Sequence, residues 1–164
     1  MVKSGVKITL DKVPDALKAL RYLDEMRVLV GVPSSKAGRR DGPINSAAIG
    51  FIQENGAPER NLPARPFLIP GVKSIEKVVI PRFKDAGNAV LSADPARAEK
   101  QFNAIGLIGQ NAVRKKITDG PFAPLSPRTL SARRSRGRTG EKPLIDTGQL
   151  RQAISYVIRK IRGR

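Results

Sequence analysis

The sequence predicts an α+β fold: a small β-sheet packed against a few helices, one of them long and amphipathic, with a long arm rich in Pro, Gly and Arg. Three observations carry this. Short apolar runs near both ends read as strands. One apolar stripe at helical spacing extends from Asp94 to Gly120. The stretch from Gly120 to Gly148 holds four prolines and four glycines, too many for a regular element. At 164 residues the chain is expected to form a single domain, 1–164, with extended loops at about 33–43, 55–70 and 120–148.

Each element has a local reason. Val6, Ile8 and Leu10 alternate with Lys7 and Thr9, as in a half-buried strand. Pro14 suits a first helical turn, after which Leu17, Leu20 and Leu23 recur every three residues. Arg27–Val32 is an almost continuous apolar run, the mark of a more buried strand, and completes a β-α-β start. Asn45 is placed to cap a short helix to about Glu54 that buries Ala48, Ile49 and Ile52, with Asn55-Gly56 as its stop. Pro58, Pro63 and Pro66 then shape a stiff loop. A helix follows from about Val72 to Leu91, which Pro81 should end or kink.

The clearest element opens at Asp94-Pro95 and closes at Gly120-Pro121. Phe102, Ile105, Ile108, Ala112 or Val113, and Ile117 share one of its faces, over a length of ~37 Å at 1.5 Å per residue. Gly106 and Gly109 interrupt it at a cost of ~1 kcal/mol each relative to alanine, so something is expected to pack closely there. Ser126 and Pro127 can start a short helix to Arg134 inside the arm. After Gly148 one helical turn leads to a closing strand at Ile154–Ile158 and a basic tail.

Composition narrows the function. With 40% hydrophobic residues the chain can bury a core despite a net charge of +17. It has no Cys and no His, which removes thiolate chemistry, disulfides and the residue best suited to acid–base work at neutral pH. Five Phe, two Tyr and no Trp argue against a sheet that stacks bases. The start, Met1–Gly5, lacks the apolar run of a secretory leader. The longest uncharged run, Gln101–Val113, falls short of the ~18 residues a membrane span needs. A soluble protein of the cytoplasm is expected.

The charge is uneven. Residues 1–100 carry 17 basic and 11 acidic groups, whereas residues 101–164 carry 14 and 3. It is densest at Arg128, Arg133, Arg134, Arg136 and Arg138, with no acid until Glu141. Arginine forks match phosphate and carboxylate, so a mobile arm of them seeks nucleic acid or an acidic protein surface. Charge alone does not separate the two.

Catalytic patterns are thin. There is no P-loop, dinucleotide fingerprint or EF-hand loop. Ser4–Lys7 and Ser74–Lys77 fit Ser-x-x-Lys without the companion motifs that pattern requires. Gly106–Gly109 fits the G-x-x-G of KH domains but lies inside the apolar stripe. Asp24, Glu25, Asp119 and Asp146 are scattered and read as helix ends or turns. No catalytic, cofactor-binding or metal-binding residue is expected.

Three stretches, taken in order, resemble a known family. They are Asn55-Gly-Ala-Pro-Glu-Arg-Asn-Leu-Pro-Ala-Arg-Pro-Phe-Leu-Ile-Pro70, Ile117-Thr-Asp-Gly-Pro-Phe-Ala-Pro-Leu-Ser-Pro-Arg-Thr-Leu-Ser-Ala-Arg-Arg134 and Pro143-Leu-Ile-Asp-Thr-Gly-Gln-Leu-Arg-Gln-Ala-Ile154. This pattern is similar to the neck and tail-completion proteins of tailed bacteriophages and prophages, of the virion-morphogenesis and minor-tail-protein-Z type. Ile69 and Gly71 depart from it, standing where a basic residue and an alanine are common.

The resemblance implies a non-enzymatic structural virion subunit without cofactors. Such subunits ring the head-proximal end of the tail, terminate or complete it, and join it to the filled head. The implied partners are copies of itself, as a hexamer or a twelve-fold ring on the head side, together with neighbouring neck, tail-tube or head-completion proteins. Sequence-independent contact with DNA in the channel is a further implied partner; a membrane is not. The implied location is the virion neck, and the host bacterial cytoplasm during assembly.

The residues suggest roles within that picture. Arg65 and Phe67 would present a charged fork beside an apolar anchor on a proline-stiffened loop, and Arg128, Arg133, Arg134, Arg136 and Arg138 would reach a neighbour. Asp146, Thr147 and Gly148 read as a turn whose side chains satisfy backbone donors before Leu150 enters the core. The rival reading is a basic nucleic-acid-binding accessory protein.

Overall fold

Helix α5, Pro95–Asp119, is the axis on which the other elements pack. Asp94 caps it, its Oδ1 accepting from the Arg97 N–H at 2.9 Å. The computed structural model describes residues 12–39 and 43–161, so the strand expected at Val6–Leu10 and the first half of the β-α-β start lie outside the described residues. The fold is α+β; among the described residues helices are in the majority and there is one small antiparallel sheet.

The remaining elements run in chain order. Helix α1, Val13–Glu25, begins with proline in its first turn and leads straight into strand β1, Met26–Gly31. Helix α2, Ser46–Asn55, is capped by Asn45, whose Oδ1 accepts from Ala48 N–H at 2.8 Å. Helices α3, Leu68–Lys73, and α4, Glu76–Leu91, both pack on α5. Helix α6, Pro127–Arg134, starts at a Ser126 cap, and α7, Gln149–Ala153, leads into strand β2, Ser155–Lys160.

The single helix expected from Val72 to Leu91 is two. The break falls at Ser74-Ile75, where the Ser74 hydroxyl bonds the Gly71 carbonyl at 2.7 Å and Ile75 N–H reaches Val72. Pro81, expected to interrupt the helix, sits inside α4. It lies on the exposed side, where the Lys77 carbonyl that a proline leaves without its helical donor can be solvated. On α2 the fully buried positions are Ser46 and Gly50, while Ala48, Ile49 and Ile52 are only half-buried.

Two apolar clusters share α5. Toward its N-terminus Phe102, Ile105 and Ala98 pack with Ala86 and Ala89 of α4, flanked by Leu23, Val28 and Ile158. Toward its C-terminus Val113 and Ile117 pack with Phe67, Leu144, Leu150 and Ile154.

Strands β1 and β2 pair antiparallel, with Val28 opposite Ile158, Leu29 opposite Val157 and Val30 opposite Tyr156. Residues directly opposite share a face. Val28, Val30, Tyr156 and Ile158 therefore form the inner face on α5, and the two helix glycines sit beneath it. A β-carbon on Gly106 would lie 2.1 Å from Tyr156 Cδ2, and one on Gly109 would lie 2.8 Å from Val30 Cγ2. The close packing expected at these glycines is the sheet itself. The apolar run of β1 is less buried than its sequence suggests: Leu29, on the outer face, is 41% exposed.

Candidate functional site

The three stretches that carry the family resemblance converge, and buried arginines hold them together. Arg65 of the first stretch is 3% exposed. Its Nε donates to the Ala123 carbonyl at 2.9 Å and its Nη2 to the Pro124 carbonyl at 3.0 Å, both in the second stretch. Nη1 reaches Gln53 Oε1 at 3.3 Å. Burial draws the Arg65 pKa below the usual guanidinium value, and the neighbouring Arg133 charge draws it further.

Arg133, in the second stretch, grips the third. Its Nη1 donates to the carbonyls of Gly140, Lys142 and Ile145 at 2.7, 3.0 and 3.1 Å, and its Nη2 to Pro143 at 3.3 Å. Its Nε stands 3.4 Å from Asp146 Oδ1, while Asp146 Oδ2 takes Arg138 Nη1 at 2.5 Å. One carboxylate thus bridges two arginines. A planar fork with fixed donors suits a ring of carbonyls in a way that a lysine ammonium does not.

Glu54, at the end of α2, completes the arrangement. Its Oε2 accepts from the backbone N–H groups of Phe67 and Leu68 at 2.7 and 2.8 Å, and its Oε1 from Ile69 at 3.0 Å. These are the donors that open α3, which no side chain of its own caps. The sequence reading missed Glu54, because its partners lie thirteen to fifteen residues away across a proline loop.

The expected interface residues are redistributed accordingly. Arg65 and Phe67 do not present a fork and an anchor: Phe67 is 2% exposed and belongs to the C-terminal cluster. Arg133 is likewise buried, and Arg138 is tied to Asp146, so the arm of 120–148 is fastened where a mobile one was expected. Charge counting overlooked the internal carbonyls that compete for each guanidinium. Arg128, Arg134 and Arg136 remain exposed, with Arg134 3.4 Å from Glu141.

The 146–148 turn also works differently from expectation. Asp146 meets arginines where backbone donors were expected. Gly148 adopts φ +75°, which a side chain would strain, and Leu150 enters the core as expected.

A second charged feature lies at the end of α5. Asp119 Oδ2 is 2.6 Å from Lys115 Nζ, and Lys142 Nζ donates to the adjacent Thr118 carbonyl at 3.1 Å. The Lys115 hydrogen bond and charge hold the Asp119 carboxyl below its ordinary pKa, helped by Lys142 and Arg151.

Two of the patterns weighed for catalysis fall on described residues. The Ser74 hydroxyl is engaged with Gly71 O, and Gly106–Gly109 lies within α5. Ser4–Lys7 falls outside the described residues. Among the described residues no group of three His, Cys, Asp or Glu could hold a metal ion, and no helix is long and apolar enough to cross a membrane. Compared with protein-family models, curated proteins and solved structures, the chain matches none.

Proposed function

We propose that this chain is a structural subunit of the tailed-phage neck, of the tail-completion kind, which rings the head-proximal end of the tail and joins it to the head. It would work by self-association and docking, without catalysis. The observation that carries the reading is the convergence just described. Three stretches far apart in sequence, each resembling that family, are bound into one scaffold by Arg65, Arg133 and the cluster around Phe67. Their packing together supports reading the three stretches as parts of one unit.

An outward apolar stripe on α1 supports self-association. Val13, Leu17 and Leu20, at helical spacing, are 62%, 50% and 53% exposed. Copies that each carry +17 gain little from ionic contacts with one another, so apolar contact is the economical route to a ring. Light scattering of the purified protein and electron microscopy of virions test this. A closed oligomer present in particles is expected, and a strict monomer missing from particles would overturn it.

The second reading, a nucleic-acid-binding accessory protein, is favoured by the cations crowding Asp119 and by exposed Arg128 and Arg136. It predicts tight DNA binding that falls steeply with salt. Binding of about micromolar strength or weaker, blind to sequence, fits the neck subunit instead.

A further inference from the structure

The outer face of the two-stranded sheet carries a small apolar centre inside a basic frame. The register places Leu29 opposite Val157, Arg27 opposite Arg159 and Gly31 opposite Ser155 on the face turned away from α5. Leu29 is exposed and Val157 half-buried. At the glycine end Lys36 Nζ reaches Ser155 Oγ at 3.2 Å, so its ammonium closes the frame opposite the arginines. Arg27 rests one nitrogen, Nη1, on the Asp24 and Met26 carbonyls.

Like charges directly opposite one another across two strands repel and weaken the pairing. The Arg27–Arg159 pair therefore stands to gain from an acidic group set against it. We propose that this face docks an acidic protein surface with an apolar centre, carboxylates meeting Arg27, Arg159 and Lys36 while aliphatic side chains cover Leu29 and Val157. The inference rests on the sheet alone and holds whether or not the chain forms a ring.

Two other occupants fit less well. Duplex or single-stranded nucleic acid would match the charge but leave the Leu29–Val157 pair without an apolar partner. Among the described residues the face presents no ring on which bases could stack, since Tyr156 is turned inward onto Gly106. A second copy brings 31 basic groups against 14 acidic ones, so its charge is mostly of the wrong sign.

The test uses the full chain and a synthetic helix-forming peptide with Leu along one face and Glu at its flanks, with binding followed by fluorescence anisotropy. Arg27→Gln/Arg159→Gln is expected to weaken binding about tenfold, as loss of complementary charge at an interface does. Leu29→Thr, which keeps a strand-forming side chain, is expected to weaken it several-fold. Arg128→Gln/Arg136→Gln, on α6 and in the turn that follows it, is expected to leave it unchanged. Thermal unfolding of each variant keeps loss of fold distinct from loss of binding. Equal weakening by the Arg128/Arg136 pair, or indifference to Leu29→Thr, would overturn the proposal. So would a duplex DNA fragment that binds through Arg27 and Arg159 more tightly than the peptide does.

Discussion

Tyr156 occupies the space that a side chain at Gly106 would need, and its hydroxyl donates to Asn103 Oδ1 at 3.1 Å, three residues earlier on the same helix. The sheet is thus seated on α5 by one ring lying against bare backbone and anchored at its far end. Gly106→Ala should therefore destabilise the protein by roughly 1–3 kcal/mol, although alanine is the better helix former by ~1 kcal/mol. Urea unfolding of Gly106→Ala, Tyr156→Ala and the double variant checks this. The double variant should cost less than the two singles together, because removing the ring removes the clash.

Arg133→Ala should be among the most damaging single changes, at about 2–4 kcal/mol, since it strips four carbonyls and Asp146 of a shared donor. Arg133→Lys should not restore stability, because a single ammonium cannot span that ring. Limited proteolysis should cut faster between 136 and 145 in either variant. Arg128→Ala and Arg136→Ala should stay within about 0.5 kcal/mol of the parent.

Glu54→Gln should cost about 1–2 kcal/mol by replacing a charged acceptor of three backbone N–H groups with a neutral one. Amide exchange at Phe67, Leu68 and Ile69 should rise selectively. Uniform protection at those amides would mean that the carboxylate does not hold the start of α3.

The acid limb of stability should depend in part on Asp119. Its pKa is lowered in the folded chain, so its contribution is complete above its ordinary value of 3.8 and is lost as pH falls below that. Asp119→Asn should flatten stability against pH in that acid range and leave the neutral range nearly unchanged. The carboxylate is solvent-exposed and screened, so the difference should be small and should shrink further in salt.

Leu17→Ser/Leu20→Ser should lower the oligomeric order seen by light scattering without lowering the unfolding temperature, because both side chains are already half exposed within one chain. An unchanged oligomer would place the contact between copies elsewhere.

Much of the fold was legible from local signals. Asn45, Asp94 and Ser126 each cap the helix that their position suggests, since a cap depends on residues only three apart. Most of the α5 stripe and the close packing at Gly106 and Gly109 also follow from spacing, although Ile108 is only half-buried. The site was far less legible. An arginine in a basic run looks the same in sequence whether it faces water or four backbone carbonyls, and what decided the case for Arg133 was a loop ten residues on. Phe67 looked like an anchor because its loop is proline-rich, but that loop folds back over α5. The break at Ser74 was masked by an uninterrupted helical pattern, while Pro81, the stronger breaker, was tolerated where its lost bond faces solvent.

Helix α5 serves both apolar clusters as a party wall. Neither room stands if the wall comes down, and damage plastered over on one side still cracks the other. A lesion near Phe102 should therefore loosen the far end around Ile117 and Leu150, so that the molecule lets go in one step rather than by halves.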